Sequence, residues 1–213
     1  MSIKNAKNFN NTTNQELSHA FYPNPFPFLH LLRLCYHPTL HRNQFRRSRL
    51  CHLTYPKPLL HPSQPIRRSL NLSSKDQATN HIVVVKLDTI ENKEFDGIND
   101  NYISINLNGL TFVVAAQASY AKSSSLFQNL SLISGQTMQV WAEYNAKKME
   151  FNVTLAPLNT LKPVLPLLSD TINFSSVLLS KMYVGFSSST GAAAGSNYIL
   201  GWSLLENTNV TII

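Results

Sequence analysis

Apolar and polar residues alternate most regularly over 139–156. Val140, Ala142 and Tyr144 interleave with Gln139, Trp141 and Glu143, and Met149, Phe151, Val153 and Leu155 with Glu150, Asn152 and Thr154. A period of two sends successive side chains to opposite faces of a strand. The segment therefore predicts an antiparallel hairpin with one face on a core. Asn145 to Lys148 make its turn, with Asn145 the residue suited to positive φ. Ile82, Val83, Val84 and Val85 form a β-branched run of the kind found inside a sheet. Ile103, Ile105 and Leu107 alternate with Ser104, Asn106 and Asn108, which predicts a half-buried strand. The stretch after Leu110, beginning Thr111-Phe112-Val113-Val114, reads as a strand followed by loops. Residues 182–204 read as two strands around a loop of small residues, Gly191–Asn197, and 157–180 as a proline-bearing connector. These elements predict an all-β chain.

The pattern fails over 29–68. This stretch has no Asp, Glu or Gly, and its five prolines interrupt any regular element. Neither a strand nor a helix period is visible, so no ordered element is expected there. Composition divides the chain in the same region. Eleven of the eighteen Lys and Arg residues lie before residue 76, with Glu16 the one acid among them, whereas the remainder is mildly acidic. The net charge of +7 thus belongs to the first third of the chain. Arg42, Arg46, Arg47, Arg49, Arg67 and Arg68 could neutralise phosphates, but no nucleic-acid-binding signature accompanies them. Cys35, Cys51 and the histidines His37, His41, His52 and His61 fit no zinc-site spacing. No apolar run is long enough for a membrane helix, and the first fifteen residues lack the apolar core of a secretory signal.

Candidate chemistry concentrates between the strands at 82–85 and 103–107. The loop carries Asp88, Glu91, Asn92, Glu94, Asp96, Asn99, Asp100 and Asn101. Carboxylates and amides gathered in this way suit a hard cation with 6–8 oxygen ligands; a merely solvated acidic loop is the alternative. Glu91 and Glu94 stand three apart on a loop and do not form the facing carboxylate pair a retaining glycosidase needs, so no enzyme is expected.

The same segment resembles the metal loop of legume-type (L-type) lectins, especially the lectin ectodomains of plant receptor kinases, whose pattern runs V-x-V-E-F-D-T, then Asn, Asp and H-V-G-I-D-I-N-S. Further likenesses are His19 to Pro25 (the family's G-H-A-F-Y-x-x-P), Leu130 to Met138, the hairpin at 139–156, and Met182 to Leu204 (M-Y-V-G-F-S-S-S-T-G…Y-I-L-G-W-S-F). The resemblance implies a jelly-roll sandwich, incomplete at its N-terminus. It implies these divisions: 1–28 as a remnant of the first half, 29–68 as an out-of-frame or mis-spliced segment, 70–206 as the second half of the lectin domain, and 207–213 as a tail.

It also implies calcium and a transition metal, manganese, held by Asp88, the backbone of Ile90, Asn92 and Asp96. Sugar contacts fall to Asn92, Gly191, Ala192, Ser196 and Asn197. Four positions depart from the family pattern. Lys86 replaces a ligand glutamate, Gly97 a calcium aspartate (with Asp96 one place early), Tyr102 a ligand histidine and Phe112 a serine behind it. These departures imply carbohydrate binding that is weakened or lost, or a lectin-derived interaction module or inactive fragment that binds no sugar. By family the chain is extracellular, its partners are glycans or glycoproteins and a second copy in a lectin-type homodimer, and Asn129, Asn152, Asn173 and Asn209 are glycosylation acceptors.

Overall fold

The computed structural model describes residues 77–89, 91, 97–109, 111–179, 182–190 and 196–205, together with strand backbones between residues 2 and 55. Among the described residues, fifteen strands follow in chain order: β1 Ser2–Ile3, β2 Lys7–Asn10, β3 Leu17–Phe21, β4 Leu31–Thr39, β5 Ser48–Tyr55, β6 Val83–Asp88, β7 Tyr102–Leu107, β8 Phe112–Gln117, β9 Ser119–Ala121, β10 Phe127–Asn129, β11 Met138–Asn145, β12 Glu150–Pro157, β13 Leu168–Thr171, β14 Tyr183–Thr190 and β15 Ser196–Leu205. They form a seven-stranded sheet in the order β1-β15-β4-β11-β12-β13, with β2 also on β15. A six-stranded sheet runs β3-β14-β5-β6-β7-β8, and β9 with β10 makes a small hairpin.

The two large sheets face each other across one apolar core. The six-stranded sheet contributes Val83, Val85, Leu87, Ile103, Ile105, Val184 and Phe186, and the seven-stranded sheet Met138, Val140, Ala142, Phe151, Val153, Leu155 and Ile199. Facing layers of alternate strand residues define a β-sandwich. An aromatic edge joins the layers, Phe186 meeting Trp202 edge-on at 5.7 Å, and Phe151 meets Phe174 of a short turn after β13 at 5.3 Å.

The hairpin at 139–156 forms in the register its alternation predicts, with Val140 opposite Leu155, Ala142 opposite Val153 and Tyr144 opposite Phe151. Two details differ. The positive φ falls on Met149, at 54°, while the Asn145 side-chain oxygen accepts hydrogen bonds from the backbone N–H groups of Lys147 and Lys148. The asparagine closes the turn with its side chain, the other device this residue offers. Nor is the second face open: Gln139 and Trp141 are buried too. Gln139 donates to the carbonyls of Pro157 and Thr160, and Lys162 pairs with Glu143. The segment after β12 therefore doubles back over the outer side of the sheet.

Residues 29–68 differ most from the sequence expectation. The structure has two strands there, and both are interior. β4 lies between β15 and β11, and β5 between β14 and β6. An interior strand takes its hydrogen bonds from neighbours on both sides, so pairing overrides a weak local pattern. Pro38 illustrates the limit. It lies beyond the end of the β11 pairing, where β15 alone flanks the strand, and a residue without an N–H is tolerated at such a place. The loop read as Gly191–Asn197 is also shorter at its far end, because Ser196 and Asn197 already belong to β15.

A closed ion triangle at the candidate metal site

The strand–loop–strand of the sequence reading is β6, the loop 89–101 and β7. Lys86 and Asp88 stand two residues apart on β6, hence on one face, and that face points away from the apolar core. Across the ladder Tyr102 is opposite Asp88, and Ser104 opposite Lys86. The Lys86 ammonium donates to the Tyr102 hydroxyl at 3.0 Å, the hydroxyl donates to Asp88 Oδ2 at 3.0 Å, and the ammonium lies 3.2 Å from that same oxygen. The ammonium is 5.1 Å from the centre of the Tyr102 ring, which its hydrogen bond to the ring's own oxygen already accounts for. Next along the face, Ser104 donates to Asn106 Oδ1 at 2.8 Å. The Tyr102 ring meets Phe112 on β8 edge-on, with centroids 6.4 Å apart.

This row is buried. Asp88, Tyr102 and Ser104 are 0 % exposed and Lys86 7 %. A buried carboxylate needs a counter-charge, and here the counter-charge belongs to the protein. A divalent ion about 4 Å from the ammonium would meet a repulsion of about 8 kcal/mol at an effective dielectric constant of about 20. Among the described residues, no group of three His, Cys, Asp or Glu side chains is placed to hold a metal ion.

Of the expected metal ligands, only Asp88 lies in the described residues; Ile90, Asn92 and Asp96 lie outside them. The return limb of the loop is held by Asn101. Its side-chain N–H donates to the Leu130 carbonyl, its side-chain oxygen accepts from the Leu132 N–H, and its carbonyl accepts from the Ala118 N–H. Asn101, one of the loop's oxygen donors by residue type, thus also brackets two neighbouring segments. Its one sequence signal is its position directly before β7, where an amide can reach a neighbouring segment. Lys86 and Tyr102 were better signalled, because both depart from the pattern that the sequence resembles.

Of the expected sugar contacts, Asn92, Gly191 and Ala192 lie outside the described residues. Ser196 opens β15, and Asn197 is fully buried within it. Among the glycosylation acceptors, Asn129 and Asn173 are exposed, and Asn173 caps a short turn by accepting from the Ser175 N–H. Asn152 is half-buried; it donates to Glu150 at 2.6 Å, while its own side-chain oxygen is buried without a partner. Asn209 lies outside the described residues.

The legume lectin domain matches residues 54–211. The chain belongs to that family. The match begins before Leu70, where the sequence likeness becomes easy to see. Among curated relatives, an L-type lectin-domain containing receptor kinase, IV.1 of Arabidopsis thaliana, is 45% identical over 146 residues, which is 68% of this chain and 22% of the kinase. This lectin chain therefore spans about a fifth of the length of such relatives. The metal-free form of lectin I-B4 from Griffonia simplicifolia superposes with a TM-score of 0.68 at 20% identity, over 90% of this chain and 81% of that one. Lectin UEA-II complexed with galactose gives 0.67 at 16% identity, over 94% and 85%. At these identities the likeness establishes the sandwich fold of this lectin domain. No helix among the described residues is long and apolar enough to cross a membrane.

Proposed function

We propose that this is a carbohydrate-recognition domain of the receptor-kinase lectin type in which metal-dependent sugar binding is weakened or lost. The observation that carries the reading is the Lys86 ammonium held 3.2 Å from Asp88 Oδ2. The residues present do not fit a transition metal there. The carboxylate oxygen is already engaged by a cation and a phenol, and a lysine and a tyrosine stand where the family has a glutamate and a histidine. Calcium would rest on Asp88, Ile90, Asn92 and Asp96, with the Lys86 charge close by.

The sugar would be met by Asn92, Gly191, Ala192, Ser196 and Asn197. Asn92 depends on calcium for its orientation, and the burial of Asn197 removes one donor from the surface. Each polar group of a sugar left without its partner costs about 1–3 kcal/mol, and two such losses take a weak ligand below detection. The same observation favours the second reading, a lectin-derived interaction module that binds no sugar. The domain is not an enzyme, acts outside the cell as its relatives' receptor architecture suggests, and pairs with a second copy. Of its acceptor asparagines, the exposed Asn129 and Asn173 are the best placed to carry glycans.

A glycan array probed with and without calcium tests the reading. The expected result is no calcium-dependent signal. A reproducible calcium-dependent signal that disappears in Asn92→Ala would overturn it.

A further inference from the structure

We propose that Lys86 is a built-in cation that takes over the structural task of a metal ion at the stem of the loop 89–101. The inference rests on the reading above that Asp88 no longer serves a metal, and it adds what has replaced it. Chance loss of a metal site would leave a buried carboxylate without a counter-charge. Here Asp88 is fully buried and has one.

Three of the four departures are also not scattered. Lys86, Tyr102 and Phe112 come from three adjacent strands and form one chain of contacts: ammonium to hydroxyl at 3.0 Å, then ring to ring at 6.4 Å. The tyrosine is both acceptor for the lysine and donor to the aspartate, so its hydroxyl satisfies both charges at once. The far limb of the same loop is held by the Asn101 bracket to Leu130 and Leu132. The described parts of the loop are thus held at both ends by side chains of the protein.

Thermal melting of the full chain tests this, using chelator, calcium and manganese as probes, with the variants Lys86→Met and Lys86→Met/Asp88→Asn. The parent is expected to melt at the same temperature in chelator and in either metal. Lys86→Met leaves Asp88 buried and unpaired and should lower the melting temperature by on the order of 10 °C. The double variant removes both charges while keeping their shapes, and should regain at least half of that loss. If Lys86→Met does not fold at all, the double variant decides: a folded double variant supports the built-in cation, and an unfolded one overturns it. A Lys86→Met protein that melts like the parent overturns the inference and leaves the weak-metal reading standing. A parent stabilised by calcium or manganese and destabilised by chelator overturns that reading itself, and the inference with it.

Discussion

The strand pair β6–β7 presents two faces that are equally buried and opposite in chemistry. Val83, Val85, Leu87, Ile103 and Ile105 fill the space between the sheets, while Lys86, Asp88, Tyr102, Ser104 and Asn106 line the other side. Alternate residues of the same short strands build both. The apolar face is held by contact and depends on volume, so it yields gradually as atoms are removed. The polar face is held by pairing, so it should tolerate paired changes and fail abruptly with single ones.

The largest effect should come from splitting the charge pair. Asp88→Ala leaves the Lys86 ammonium buried without its carboxylate, and should cost about 3–5 kcal/mol in chemical denaturation. A cost below about 1 kcal/mol, the range of exposed pairs, would mean that the pair is solvated and the two faces are not different in kind. On the apolar side, Ile105→Ala should cost about 3 kcal/mol and Ile105→Val about 1 kcal/mol, tracking the volume removed. Equal losses for the two would show that the face does not respond to volume. A smaller effect than that of Ile105→Ala is expected from Tyr102→Phe. It removes the bridging hydroxyl but leaves the direct contact between Lys86 and Asp88, so about 1–2 kcal/mol should be lost. A loss as large as that of Asp88→Ala would shift the weight of the triangle from the ion pair to the phenol.

How much of this was legible follows from where each feature originates. The β11–β12 register is written in the alternation from Gln139 to Leu155, because both strands show the core the same period. Burial of Gln139 was not legible, since its partners lie in a segment that folds back after β12. β4 and β5 left no clear pattern in their side chains, and their place in the sheets follows from backbone pairing with a strand on either side. The turn at Asn145 was legible as a turn but not in mechanism, because asparagine can close one by backbone or by side chain. At the candidate site, Asp88 and the oxygen-rich loop were visible from residue types. The triangle itself showed only as odd residues at 86 and 102, with Phe112 beside them, and three-dimensional contact was needed to turn three oddities into one arrangement.

The Lys86 triangle also bears on how uniform a population of these molecules is. A domain held by a dissociable ion is at any instant a mixture of loaded and empty copies, exchanging at a rate set by the ion's residence time. A cation attached by its own side chain has no residence time and no stoichiometry short of one. Every folded copy then carries the same charge in the same place, and the amides of β6 and β7 exchange their hydrogens as a single species, whatever the ionic composition around them.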